Sequence, residues 1–267
     1  MFPSSFGDIL NSSPSKGGIF IAEAAQLFSK KADDYRSGRT HYPKAIASIL
    51  RELELPRNKA VDAGCGTGIF SQLLLDCGFF VYGVEPNAEM LCAAKEQLHC
   101  SQFVPIQSTA EEIPLPDHSV EFICAAQSFH WFDRDAFRLC CNRLLRPGGK
   151  IALIWNTKDP AHPLMQDYQA ICRSLCERFH GFHNGLDLTG PAVTGFFQAA
   201  PQIHRLQNPQ TRSREQFFHW CLSSSYSPRP GEPVYNDFLR CIGDLFDQYQ
   251  CTGQIILPSQ TRLYIGE

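Results

Sequence analysis

The chain has 267 residues, 43% hydrophobic and 19% charged, with a formal net charge of -3. That is ample for a folded core and sets a length prior of one large domain or two small ones. The slightly acidic balance and the absence of a Lys/Arg run speak against a polyanion binder, so no nucleic-acid partner is expected.

The start, "MFPSSFGDILNSSPSKGG", lacks a basic region followed by an apolar one, and "GGIFIAEAAQLF" is too short to span a bilayer and carries Glu23. No membrane partner is expected. Twelve cysteines without a Cys-x-x-Cys pair read as free thiols of a reduced, cytoplasmic protein rather than a disulfide framework.

Residues 1–20 are rich in Ser, Pro and Gly and are expected to form a flexible tail. The remainder, 21–267, reads as a single domain: a core over 58–156, a helical region over 157–250 and a terminal strand over 251–267. A helix and turn fit 21–37, and Pro43 suits the first turn of a helix through "KAIASILREL". From residue 58 a rhythm begins. "KAVDAG" is a buried strand, "GIFSQLLLDCG" a helix with Gly78 at its end, and "FFVYGVEP" a strand stopped by Pro86. Asn87 caps the next helix, "SQFVPIQS" is a weaker strand and "SVEFICAAQSF" a strong one. Asp133 caps a helix with the stripe Phe137, Cys140, Cys141 and Leu144. "RPGGK" is a turn before the strand "IALIWN". Strands that are apolar throughout, alternating with helices, predict a parallel sheet covered on both faces. Beyond Asn156 the pattern predicts a helix over 164–179, a strand at "QIHRLQN", helices at "SREQFFHWCLSSS" and around 238–249, and a closing strand or strand pair.

The stretch "AVDAGCGTGIF" puts Gly64, Gly66 and Gly68 at alternate positions where the first strand ends. Glycines there permit a tight turn and let a ligand reach the unpaired N–H groups of the following helix. Such ligands sit at the carboxyl ends of parallel strands. The spacing G-x-G-x-G departs from the dinucleotide fingerprint G-x-G-x-x-G, and the G-K-[ST] of a phosphate loop is absent. Asp62, ahead of the first glycine, would repel a pyrophosphate and suits a cationic amine. Glu85, closing the second strand, can accept both hydroxyls of a ribose. An amine and a ribose without phosphate describe S-adenosylmethionine.

The stretches "VDAGCGTG", "VYGVEPN", "STAEEIPLPDHSVEFICAAQSFHWFD" and "LRPGGKIALIWN" occur in that order. Together they resemble the strand ends of class I S-adenosylmethionine-dependent methyltransferases, over about residues 35–156. "AAQSFHWFD" and the later "SSSYSP" resemble more narrowly the small-molecule branch containing trans-aconitate methyltransferase-like proteins. The resemblance implies a doubly wound, mostly parallel seven-stranded sheet, the Rossmann-like methyltransferase fold, with a helical lid. It implies that Asp62 orients the cofactor's amino group, that Gly64, Cys65, Gly66 and Gly68 pass under its methionine part, and that Glu85 holds the ribose with Pro86 and Asn87 beside the adenine. Ala110 and Glu111 would flank the adenine edge, and Gln127 and Phe129 would face the sulfonium. Tyr35, Arg39 and Tyr42 match the segment that closes over the cofactor carboxylate. Many relatives carry Asp before the Ala-Glu pair where this chain has Thr109, a departure that bears on the contact to the adenine amine.

The implied chemistry is methyl transfer to a small organic acceptor, with a carboxylic acid as one candidate. His130 is the candidate general base, or else pocket lining. Trp131, Tyr42, Lys158 and Tyr226 are candidate acceptor-pocket residues, and Arg39, Lys158 and Arg229 candidate partners of an acidic substrate. No metal is expected: Cys176, His180 and His183 lie close in "CERFHGFH", but a fourth ligand does not stand out. An RNA or protein methyltransferase, a non-catalytic S-adenosylmethionine-binding protein and a nicotinamide-dependent dehydrogenase are the alternatives. The glycine spacing speaks against the last.

Overall fold

A computed structural model describes residues 41–53, 55 and 59–267. The expected tail and the helix over 21–37, with Tyr35 and Arg39, lie outside the described residues. Helix α1 (Ala45–Arg51) precedes five strands interleaved with three helices: β1 (Lys59–Ala63), α2 (Ile69–Asp76), β2 (Phe80–Val84), α3 (Ala88–Gln97), β3 (Phe103–Ile106), β4 (Val120–Ala126), α4 (Arg134–Leu144) and β5 (Leu145–Lys158). There follow α5 (Pro163–Leu175), α6 (Pro191–Thr194), β6 (Gln202–Gln207), β7 (Gln210–Ser213), α7 (Arg214–Leu222), α8 (Tyr235–Tyr249), β8 (Gln254–Leu257) and β9 (Ser259–Gly266).

The seven-stranded sheet runs β3-β2-β1-β4-β5-β9-β6. Strands β1 to β5 are mutually parallel, and β9 lies antiparallel between β5 and β6. The chain winds outward from β1 to β3, then returns to β4 on the other side of β1. The reversal opens a crevice at the carboxyl ends of β1 and β4, where open sheets bind ligands.

Alternate residues of each central strand feed opposite faces. Ala60, Phe122, Cys124 and Ile154 pack with Ile46 of α1, Phe70 and Leu74 of α2 and Ala94 of α3. Val61, Ile123, Leu153 and Trp155 pack with Phe137 and Cys141 of α4 and with Phe196 and Phe197. The local signals act as read. Asn87 Oδ1 accepts from the Met90 amide at 2.9 Å, Asp133 caps α4, and Gly78 leaves α2 at φ +87°. "RPGGK", expected as a turn, instead opens β5 with a register shift against β4, and its Arg146 pairs with buried Glu121 of β4 at 3.0 Å.

The region after β5 departs from expectation in three places. Helix α5 ends at Leu175 rather than 179, because Phe179 turns away to meet the rings of Tyr226 and Phe182 at 4.8 and 5.5 Å. The terminal stretch is two strands of two sheets: β8 pairs with β7 in a separate ribbon, and only β9 joins the main sheet. Strand β7 stands where no strand was expected. A third apolar core, distinct from the two sheet faces, joins Leu164, Tyr168 and Cys172 of α5 with Phe217 and Trp220 of α7, Phe238 and Ile242 of α8, and Ile255 and Leu257 of β8. No helix among the described residues is long and apolar enough to cross a membrane.

Candidate cofactor and acceptor site

The turn after β1 is pinned to the end of β2. The Gly64 and Cys65 amides both donate to Val84 O, at 2.8 and 3.0 Å, and the Gly66 amide donates to Glu85 Oε2 at 3.0 Å. Gly64, Gly66 and Gly68 have φ of +69°, +56° and +85°, the left-handed region where side chains are strained. Two of the glycines are also required by packing. A Cβ on Gly64 would lie 2.5 Å from Ser128 Cβ, and one on Gly68 would lie 2.6 Å from Leu98 Cδ1. Gly83 of β2, which the sequence did not mark, is needed for the same reason: its Cβ would strike the Phe103 ring at 2.5 Å.

Glu85 is buried, and its second oxygen accepts the Asn87 amide at 3.0 Å. Burial pushes its carboxyl above the usual range, and the Asn87 and Gly66 N–H groups partly offset that. Each carboxylate oxygen keeps a second lone-pair direction. Asp62 is 1% exposed. Its Oδ2 accepts from Ser71 Oγ at 2.6 Å and its Oδ1 from Cys124 Sγ at 3.6 Å. Burial raises its pKa to about 6, against the lowering effect of the Ser71 and Cys124 bonds. Asp62 thus presents its charge to the crevice as a field from beneath the loop, not as an exposed carboxylate. Burial and the charges of Asp62 and Glu85 push the Cys65 thiol well up, so this cysteine is not poised as a nucleophile.

Across the crevice, β4 ends at Gln127, a non-glycine residue at φ +63°. Its Nε2 donates to Asn156 O on β5 at 3.2 Å, and Ser128 Oγ donates to Ala63 O on β1 at 2.7 Å. Three strand ends are thereby fixed relative to each other. Phe129 departs from its expected place. It is fully buried, 4.8 Å from Phe196 and 6.0 Å from Trp155 between ring centroids, and supports the strand end from within the core. His130 is half-buried in the short turn Phe129–Trp131, its ring 5.0 Å from that of Trp131. Ala110 is buried in the same core, and Glu111 Oε1 accepts the Asp133 amide at 2.9 Å, tying the Ala110–Glu111 loop to the start of α4. Pro86 O accepts from Gln107 Nε2 at 3.4 Å. Tyr42 stacks edge-on against Phe70 at 5.0 Å, at the edge of the α1–α2 face.

Lys158 and Tyr226, distant in sequence, come together: Nζ donates to Tyr226 Oη at 3.3 Å. Trp131 packs its ring against that of His130 at 5.0 Å. Several contributors carried no sequence signal. Ser71 and Cys124 hold Asp62, and Asn208 Nδ2 donates to His41 O, Asn156 Oδ1 and Thr261 Oγ1 at 2.8, 3.3 and 3.1 Å. Cys124 and Asn208 act through partners far along the chain, and Ser71 reaches back from α2 to Asp62 across the glycine turn, so spacing does not reveal them.

The donor set fits S-adenosylmethionine. Two buried acids flank a glycine turn, a cation and a pair of hydroxyls would complete them, and Thr67 Oγ1 in the turn is buried without a hydrogen-bond partner among the described residues. Residues 61–153 match the family described as a methyltransferase domain. Over that stretch the chain is similar to a methyltransferase domain. An uncharacterized methyltransferase of Mycobacterium bovis is 38% identical to this chain over 132 residues, 49% of this chain and 53% of the relative. A malonyl-[acyl-carrier protein] O-methyltransferase of Enterobacter lignolyticus is 29% identical over 150 residues, 55% of this chain and 59% of that one. The chain spans about half the length of the curated relatives it matches. A solved structure described as a type II methyltransferase, from Anaeromyxobacter dehalogenans, has the same fold at 22% identity and a TM-score of 0.58, over 86% of this chain and 97% of its own. The likeness to the trans-aconitate branch rests on "AAQSFHWFD" and "SSSYSP" alone.

Proposed function

We propose that this protein transfers the methyl group of S-adenosylmethionine to a small organic acceptor, with a carboxylic acid as the favoured class. The observation that carries the reading is the pair Asp62 and Glu85, buried at adjacent strand ends around a positive-φ glycine turn. That set suits an amine and a ribose and repels a pyrophosphate. The malonyl-carrier relative, an O-methyltransferase by name, supports an oxygen acceptor.

When bound, S-adenosylmethionine supplies a methyl carbon already activated by the sulfonium. The chain's task is then proximity, alignment and exclusion of water. Gly64 to Gly68 would seat the methionine part, with Asp62 acting on its amino group through the turn, and Glu85 would take the ribose. Gln127, fixed by Asn156, would border the methyl. The α5, α7 and α8 layer would close the acceptor side, with Trp131, Tyr42, Lys158 and Tyr226 as its walls. A carboxylate acceptor would arrive already ionised and would leave as a neutral ester, so no base would be needed, and His130 would serve as lining. The partner is a small molecule, not nucleic acid or membrane, and twelve free thiols suit a reducing, cytoplasmic setting.

The test offers methyl-labelled S-adenosylmethionine and the protein to a small-metabolite extract and to total RNA in parallel. Label in the metabolite fraction is the expected result. Label in RNA would overturn the acceptor class, and label in neither, with cofactor bound, would make the protein a binder rather than an enzyme.

A further inference from the structure

The methyltransferase reading leaves open what selects the acceptor. We infer that Lys158 and Tyr226 form an anion anchor inside an aromatic box, and that the acceptor is an organic acid with a flat or apolar body. The inference rests on the methyltransferase reading and goes beyond it by assigning the residues that tell an acid from a neutral analogue.

Position comes first. Lys158 is the last residue of β5, at the carboxyl edge of the sheet where ligands of this fold sit. Two residues before it, the Asn156 carbonyl holds the Gln127 amide, so Lys158 adjoins the β4 end bordering the cofactor crevice.

Composition comes second. The Lys158 ammonium lies 4.2 Å from the Phe182 ring centroid, 5.1 Å from Trp220, 5.8 Å from Tyr168 and 5.9 Å from Tyr226. Tyr168, Trp220 and Tyr226 are all buried. Ring faces stabilise a cation, and a low-dielectric wall around it strengthens its attraction for an anion. Tyr226 Oη accepts from Nζ and also meets the Ser224 and Tyr168 hydroxyls, so the ammonium lies in a cluster of hydroxyl groups that can reorient toward an anion. An ammonium and a phenol together match a carboxylate, while the rings match an apolar or planar body.

Rigidity comes third. The segment bearing Tyr226 is clamped by Arg178. Its two terminal nitrogens donate to Glu232 Oε1 and Oε2 at 2.9 and 3.0 Å, and one of them also donates to Ser227 O at 2.9 Å. Ser227 Oγ donates to Cys221 O, and Ser223 Oγ to Trp220 O. The "SSSYSP" loop is therefore fastened to α7 from within and to the segment after α5 from outside. Such preorganisation reduces the ordering cost of binding.

The experiment is calorimetric titration of the full chain, saturated with S-adenosylhomocysteine, with phenylacetate, cinnamate and hexanoate and with the amide of each. At least one acid should bind ten-fold or more tightly than its amide. Lys158→Met should erase that preference while leaving S-adenosylhomocysteine affinity unchanged, and Tyr226→Phe should weaken it several-fold. Equal binding of acids and amides to the unmodified protein, or a preference that survives Lys158→Met, overturns the anchor. So does failure of all three acids to bind when S-adenosylhomocysteine binds, and that result leaves the methyltransferase reading standing. Failure of S-adenosylhomocysteine to bind the unmodified protein removes that reading and this inference with it. Should Lys158→Met not fold, the acid-against-amide comparison on the unmodified protein decides alone.

Discussion

At the residue scale, the decisive feature is an acid kept where ionisation is costly. Asp62 titrates near 6 when folded against a usual value of 3.8, chiefly because it is buried. The folded state thus holds the proton more tightly than the unfolded chain. Its contribution to stability is full below about pH 4 and is lost as pH rises through about 6. Asp62→Asn removes that titration, so the stability difference between variant and parent should move in the variant's favour across this window, by an amount on the order of 2 kcal/mol. Chemical denaturation at pH 4, 5, 6 and 7 reads it, and a constant difference would show that Asp62 is not the titrating group. A bound ammonium favours the ionised form, so cofactor affinity should fall as pH drops below about 6 in the parent. The Asn variant should bind weakly at every pH. His130 poses the reverse question. A general base contributes on the order of 10²-fold or more. With a carboxylate acceptor, His130→Ala should keep kcat within about ten-fold and leave its pH profile flat, whereas a loss of on the order of 10²-fold would make this residue the base.

At the element scale, the glycine turn and the strand ends act as one piece, and packing as much as ligand contact sets the sequence. Gly64→Ala meets two penalties: a left-handed φ worth about 1–2 kcal/mol, and a Cβ 2.5 Å from Ser128 Cβ. Its midpoint in denaturant should fall clearly, and an unchanged midpoint would mean that the turn has room to shift. Asn208 is the counterpart on the β5–β9 side. Asn208→Ala removes the hydrogen bonds of a buried amide to the His41 carbonyl, Asn156 and Thr261, while Thr261 Oγ1 and Asn156 Oδ1 keep their mutual bond, and such a loss costs about 0.5–1.5 kcal/mol. A stability loss in that range, measured by denaturant unfolding, is expected; none at all would show that the network reorganises. These two cases mark what the sequence reveals. The apolar strands, the Asn87 and Asp133 caps and the spacing of the glycines are local signals, read within a few residues. Asn208 and Ser128 act through partners brought near only by the strand order, and Phe129 was misplaced because a strand-end position does not say which face a ring takes. The four-residue strand β7 escaped notice because it carries too few residues to show a period.

At the scale of the whole molecule, the proposed acceptor layer is built from chain that leaves the sheet and comes back to it at the same point. Lys158 pairs with Ser259 across β5 and β9, and the Asp159 amide donates to Pro258 O at 3.1 Å. Between them the chain builds the α5–α7–α8 layer with its own apolar core, and it meets the main sheet again through the Leu188–Phe197 segment and β6. A layer with a separate core and a closely spaced exit and entry can open without unravelling the sheet beneath it. Its amides should therefore exchange with solvent as a group, at lower protection than those of β1, β4 and β5. S-adenosylhomocysteine should slow exchange mainly at 64–68 and 85–87, because those amides and their carboxylate partner form the cofactor turn. Slowing across Tyr168–Leu175 and 220–232 should require an organic acid as well, since Lys158, Trp220 and Tyr226 would then be joined by one ligand. Hydrogen exchange with mass detection, run with neither ligand, one and both, separates these cases. Uniform slowing by the cofactor product alone would mean that layer and sheet open as one unit, and that the acceptor enters a site already closed.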